Sequence, residues 1–332
     1  MEKPTLTDYI ELIYTLFDRF IQETDGEIEN GHYDYKHKWL IVFFMMMHFR
    51  RIFQFKTQHR WLETHPDVME QMGMPGVPHR TTLSRRYKEL ACVLEAFIAF
   101  VGHYASELEE TFSHQDVFED KSLFKAQGPV WHQSDRQHNR IPEKLRHLDT
   151  DATWSKSAYH GWVYGYGLHL TCTASGFPKL AQVETAAYSE KQVVDDKEEH
   201  ILTQLKPDTF IGDDAYTKAM RIRCWAKAGV TLLAPALRWK NGRYAQAYHA
   251  FLRQPHNAAL LNLRKTAIEP VFDLIAQLIG ATDNHKQLAL QFLPNVRPCL
   301  LLATLSLQLA MIANSIWRLP FRSISYIRVA FS

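Results

Sequence analysis

Apolar positions in the first third of the chain recur at helical spacing. Tyr9, Ile10, Ile13, Tyr14, Phe17, Phe20 and Ile21 fall on one stripe, with Asp8 and Glu11 at capping-box spacing ahead of it. A polar, acidic break follows from Glu23 to Asn30. A second helical stretch is predicted from about Lys36 to Leu62, around the apolar run Trp39 to Met47. Pro66 to Met72 reads as a short helix and Met74 to His79 (MPGVPH) as a turn. Thr81 or Thr82 can then cap a long helix running to about Glu110. Helix, turn and a second helix opening on HRTTLSRRYK have the outline of a helix-turn-helix over about residues 66–110. Its first turns carry Arg80, Thr82, Arg85, Arg86 and Lys88, side chains suited to phosphates and base edges. A helical bundle with a solvated basic face fits the same pattern.

Beyond residue 115 the period shortens. Asp116 to Phe124 reads as a strand, and Trp162 to Thr173 as a longer aromatic one. A Ser175-Gly176 turn and a return strand from Leu180 to Glu184 complete a hairpin. Glu190 to Leu205 reads as helix, Thr209 to Gly212 as a short apolar strand, Lys218 to Ala228 as helix and Val230 to Pro235 as strand. Ala258 to Ile279 and the tail from about Leu288 are helical again. Hairpin strands followed by alternating strand and helix predict an α/β domain with a mixed sheet over about 113–332, behind an all-α region over about 1–112. The stretch Cys299 to Trp317 holds nineteen residues without a charge. Its Thr304, Ser306, Gln308, Asn314 and Ser315 favour a buried core helix over a membrane span.

Composition adds little until it is divided by segment. The 332 residues are 46% hydrophobic and 22% charged, a globular balance that excludes a disordered chain. Four cysteines without C-x-x-C spacing, and a start without a basic region leading into an apolar run, point to a reduced, cytoplasmic protein. The net charge of +2 conceals segregation. Ala215 to Ile268 spans fifty-four residues with ten bases and no acid: Lys218, Arg221, Arg223, Lys227, Arg238, Lys240, Arg243, Arg253, Arg264 and Lys265. Tyr35 to Leu62 adds six bases, again without an acid. A polyanion-binding surface requires such segregation, because each neutralised phosphate releases a counterion.

Acids bracket the larger tract. Asp213 ends the short strand in GDDAY, Glu269 sits in the predicted helix RKTAIEPVF, and Asp120 lies in FEDKSL. Carboxylates from two strands and a helix, amid bases, suit divalent metal: two ions ~3.5–4 Å apart can activate a nucleophile and stabilise a leaving oxygen. Asp116, Asp149 and Asp151 are rivals to Asp120.

These segments resemble the DDE transposases of bacterial insertion sequences. The resemblance runs from about residue 80 to the end and is carried by DKSLFKAQGPVWH (from Asp120), LDTDATWSKSAYHGWVYGYGLHL (from Leu148), IGDDAY (from Ile211) and RKTAIEPVFDLI (from Arg264). It implies an RNase H-like catalytic domain with Asp120, Asp213 and Glu269 as catalytic metal ligands for two Mg²⁺ or Mn²⁺. It further implies cleavage of double-stranded DNA at terminal inverted repeats, 3′-OH strand transfer into target DNA, and a homodimeric synaptic complex. The chain departs from the family's Tyr-x2-Arg-x3-Glu-x6-Lys pattern, with Asn262, Lys265 and Ala276 at the first, second and last positions. Arg264 or Lys265 then takes the phosphate role. His132 and His160 are candidates beside the scissile phosphate, and Arg238, Lys240 and Arg243 for the DNA backbone. Trp162, Tyr164 and Tyr166 are expected to pack rather than to stack on bases. Two other readings fit the same residues: an RNase H-fold nuclease without strand transfer, and a non-catalytic DNA-binding protein derived from a transposase.

Overall fold

The computed structural model describes residues 3–24, 34–143, 145–157, 161–282 and 286–332. The first helix, α1 (Leu6–Glu23), begins earlier than the Asp8/Glu11 spacing predicts. Its reciprocal cap is Thr5 with Asp8: the Thr5 hydroxyl accepts from Asp8 N (3.3 Å) and the Asp8 carboxylate from Thr5 N (2.6 Å). The second predicted stretch is two helices, α2 (His37–Phe49) and α3 (Phe55–Thr64). The chain breaks at Arg51, whose φ of 60° leaves the helical region.

After α4 (Pro66–Gln71) comes α5 (Arg80–Leu108). Its cap is the His79 ring, which accepts from Thr81 N at 3.4 Å; Thr81 and Thr82 lie inside the first turn instead.

Among the described residues six strands form one mixed sheet: β1 (Asp116–Lys125), β2 (Thr153–Ser157), β3 (Gly161–Thr173), β4 (Pro178–Thr185), β5 (Thr209–Ile211) and β6 (Thr231–Leu233). β1 runs antiparallel to β3, from Val117 opposite Thr173 to Lys125 opposite Gly165. β3 is long enough to pair with β2 along its first half and β4 along its second. On its other side β1 is parallel to β5, which is parallel to β6. The strand β2 was not anticipated from the sequence. The helices between and beyond the strands are α6 (Gln133–Gln137), α7 (Glu190–His200), α8 (Ala219–Lys227), α9 (Arg243–Leu252), α10 (Pro255–Ile279), α11 (Leu293–Ile316) and α12 (Ser325–Phe331). The chain is thus α/β, as predicted.

Alternation along the strands sends side chains to two cores. Val117, Phe210 and Leu232 join Val194 of α7 and Trp225 of α8 in the smaller one. Phe118, Ile211 and Leu233 join the larger, which includes α1, α2, α5, α10 and α11. The change from helices to sheet near residue 113 is therefore no break in packing, since one core runs through both regions. Where α5 crosses β4, a Cβ on Gly102 would lie 2.6 Å from the Lys179 carbonyl oxygen, an approach only glycine allows.

The uncharged stretch of α11 is buried, and its polar groups are used within the fold. Thr304 and Ser306 donate to carbonyls one turn back. The Gln308 amide donates to Ile98 O and Pro178 O, and that of Asn314 to Phe321 O and Ser323 O. Both α5 and α11 are long and apolar enough to cross a membrane, and most of α11 is enclosed by the rest of the chain.

Candidate functional site: an aspartate pair on adjacent parallel strands

Two predicted acids lie at the middle of the sheet, near enough for Asp213 to act electrostatically on Asp120. Asp120 shares the face of Phe118, two residues earlier on β1, and so points toward α10. Asp213 stands two residues beyond the end of β5, the parallel neighbour of β1. It turns the chain into a 3₁₀ turn (Asp214–Tyr216) by accepting from Ala215 N at 2.8 Å. A Cβ on Gly212 would lie 2.5 Å from the Tyr216 ring, so the glycine lets that ring fold against the strand end.

Each Asp120 oxygen has one donor. Oδ1 accepts from Lys121 N at 2.9 Å, and Oδ2 from Arg264 Nη1 of α10 at 2.7 Å. Both side chains of this ion pair are 19% exposed. Burial pushes the Asp120 carboxyl up to about 6, against the pull of Arg264 and the Lys121 N–H, with repulsion from Asp213 and Glu190 adding to the rise. Asp213 is likewise raised, chiefly by burial and then by Glu190, while the Ala215 N–H and Arg264 oppose the shift. Asp120, Asp213, Glu190 and Arg264 thus form one electrostatic unit.

Glu190 was not singled out from the sequence. It opens α7, whose Ser189 cap forms a reciprocal box with Gln192. Lys121 ties the preceding loop to β1 by donating to Ala186 O (2.8 Å) and Tyr188 O (2.7 Å). The Ser-x-x-Gln spacing was the available sign that Glu190 lies in a helix's first turn.

Glu269 does not join the pair. Five residues beyond Arg264, it projects about 140° around α10 from the side that meets Asp120. It is exposed, as is Lys265, and makes no ion pair among the described residues. The next turn from Arg264 on its own stripe is Ile268, fully buried.

The rivals to Asp120 are explained by architecture. The buried Asp149 carboxylate accepts from Tyr166 OH (2.7 and 2.8 Å), Asp151 N, Ala152 N and Phe292 N. Asp151 accepts from Leu293 N at 3.0 Å. Together they satisfy backbone N–H groups at the start of α11, where negative charge is also favoured by the helix dipole. Asp116 begins β1 opposite Thr209, four residues before Asp120.

The basic tract is only partly available to a ligand. Arg221 is buried, pairs with Asp195 and donates to Tyr216 O. Lys218, Arg223, Lys227, Lys240, Arg243 and Arg253 are exposed, and Arg238 is 91% exposed beside Asp214. Arg238, Trp239, Lys240, Arg243 and Tyr244 line an open cavity of about 620 Å³. In the N-terminal region Arg80, Arg85 and Lys88 are exposed and Thr82 half-buried. Arg86 must be removed from the DNA-contact set: it is buried, donating to Tyr35 O (3.2 Å) and Glu89 (3.3 Å).

His132 is exposed at the start of α6, and His160 lies outside the described residues. Tyr164 and Tyr166 are buried as expected; Trp162 is not, at 63% exposure near the start of β3, opposite Lys156 of β2.

Asp120 and Asp213 offer carboxylate oxygens alone, a hard donor set that fits Mg²⁺ or Mn²⁺. No group of three His, Cys, Asp or Glu side chains close enough to hold a metal ion occurs among the described residues.

No protein-family model matches this chain, and no curated protein or solved structure matches it either.

Proposed function

We propose that the protein is a DNA transposase with an RNase H-like catalytic domain, acting on terminal inverted repeats and joining the freed 3′-OH to target DNA. The observation that carries this reading is the aspartate pair: Asp120 within β1 and Asp213 just past its parallel neighbour β5, each raised by burial and by the other acids. The antiparallel β1–β3–β4 order continued by parallel β5 and β6 supports the RNase H-like assignment.

In this reading Asp120 and Asp213 would hold Mg²⁺ or Mn²⁺, which would supply Lewis acidity at the phosphodiester. Arg264 neutralises phosphate charge beside Asp120, and the exposed bases of residues 218–253 seat the DNA backbone. Arg80, Arg85 and Lys88 at the start of α5 grip the duplex. Glu269, on the outer side of α10, has no part in holding the ion.

The test is Mg²⁺-dependent cleavage of duplex DNA carrying the repeats that flank the gene, followed by a strand-transfer assay. Asp120→Ala and Asp213→Ala should each lose cleavage and retain DNA binding. Full activity in both variants defeats the assignment, and cleavage without joining points to a nuclease. A second reading, a non-catalytic DNA-binding protein of transposase descent, draws on the want, among the described residues, of a third acid close enough to share an ion with the pair, and on Arg264 occupying Asp120. It predicts salt-dependent binding with no cleavage in either metal.

A further inference from the structure

The Asp120–Arg264 pair joins a carboxylate of the candidate metal site to a cation from the acid-free tract. Resting on the reading above, we propose that Arg264 is a latch that orders binding: a DNA phosphate draws the guanidinium off Asp120 and frees the oxygen a divalent ion needs.

Three observations carry this. The first is competition for one atom. Oδ1 of Asp120 is engaged by Lys121 N and Oδ2 by Arg264, so an ion approaching the carboxylate meets a guanidinium already in place.

The second is mutual dependence of charge. Asp213 and Glu190 act on Asp120 with like sign, and the facing cation that offsets them is Arg264, with the Lys121 N–H assisting. With no metal bound, Arg264 stands in for one; with metal bound, it is a like charge beside the ion.

The third is the chemistry of the latch itself. A guanidinium has five N–H donors, of which one is recorded on Asp120. Its planar fork matches phosphate geometry, and at 19% exposure it is within reach of a bound strand. Exchange of carboxylate for phosphate keeps the arginine paired throughout, so the half-buried cation is never left without an anion.

The order this imposes is nucleic acid first and metal second. Free protein then has a metal site held shut, which protects DNA and other phosphates from unprogrammed attack. By linkage, metal must strengthen DNA binding by the same factor as DNA strengthens metal binding.

The experiment is a Mn²⁺ titration of the full chain followed by electron paramagnetic resonance, with and without a short duplex at low salt. Mn²⁺ held by duplex alone is subtracted. Wild-type protein should bind Mn²⁺ about tenfold more tightly with duplex than without it. Arg264→Met should gain about the same tenfold in the absence of duplex, and duplex should then add less than about threefold. Arg264→Lys, which keeps a charge but loses the fork, should fall between the two. Lys206→Met removes an exposed positive charge outside the acid-free tract, between α7 and β5, and should stay within about twofold of wild type. Melting curves establish that each variant is folded.

Wild-type Mn²⁺ affinity in Arg264→Met, together with its loss in Asp213→Asn, overturns the latch and leaves the metal site standing. Mn²⁺ binding unaffected by both Asp120→Asn and Asp213→Asn overturns the metal site, and the latch with it. An equal gain in Arg264→Met and Lys206→Met reduces the effect to general charge and overturns the latch.

Discussion

Asp149 and Asp120 are acids of the same sheet region put to opposite uses. The Asp149 carboxylate is sealed from solvent and receives a tyrosine hydroxyl and three backbone N–H groups. Asp120 is reachable, has one backbone donor and one arginine, and faces two other acids. Fixed dipoles around Asp149 do what water would otherwise do, so its charge is spent on holding the start of α11. Around Asp120 the solvation is incomplete, and the remaining electrostatic demand is what a ligand can satisfy. A perturbed, under-solvated carboxylate beside a basic tract is a functional candidate for that physical reason.

Four measurements bear on this contrast. The largest expected effect is on cleavage: Asp213→Ala should lose about a thousandfold or more in Mg²⁺-dependent rate while its urea midpoint barely moves. Next comes stability. Asp149→Ala should cost about 3 kcal/mol in urea unfolding, because several buried donors lose their acceptor, whereas Asp120→Asn should bring no loss above about 1 kcal/mol at neutral pH. Comparable losses in the two variants would erase the distinction.

The third measurement is pH dependence. Folded Asp120 holds its proton up to about pH 6, above the ordinary aspartate value of 3.8, so between these limits the folded state binds more protons than the unfolded one. Its contribution to stability is therefore present below pH 4 and declines as pH rises through 6. The difference between wild type and Asp120→Asn should change by about 1–3 kcal/mol across that interval and flatten above it. A flat difference throughout means the carboxylate is not under-solvated. The smallest effect is on DNA binding: Arg80→Ala should lower the log–log salt slope by about 0.9 and leave stability unchanged. Arg86→Ala should do the reverse, costing about 2 kcal/mol of stability through its buried partners.

Much of this contrast was hidden in the sequence. Strand ends were legible, since the apolar run Thr209 to Ile211 stops at Gly212 and delivers Asp213 to the end of β5. The basic tract was visible by counting, and the long charge-free helix by its polar residues. Asp149 stood as a rival to Asp120, because its partners at Tyr166 and Phe292 are 17 and 143 residues away and give no local sign of its structural role. Helix phase misled for Glu269: motif spacing places it near the site, but the turn of α10 that meets β1 presents Arg264. Arg86 was misread for a related reason, since the first turns of α5 are basic on their inner side as well as their outer one. The break at Arg51 had no local signal either. Its guanidinium donates to Gln277 O (3.1 Å) and Leu278 O (3.3 Å) at the far end of α10, a distant contact that favours leaving the helix there.

The length of α5 has a consequence in base pairs. Arg80 is exposed at one end, and Gly102 is locked against Lys179 of the sheet at the other. The helical rise between them is about 33 Å, one turn of B-form DNA. If the protein grips DNA as proposed, a rigid strut of that length would convert protein geometry into a footprint on the duplex. Lengthening α5 by one turn would shift the gripped segment by about one and a half base pairs and rotate it around the groove. The spacing between gripped and reacting DNA would then be written into a helix rather than into any side chain that touches a base.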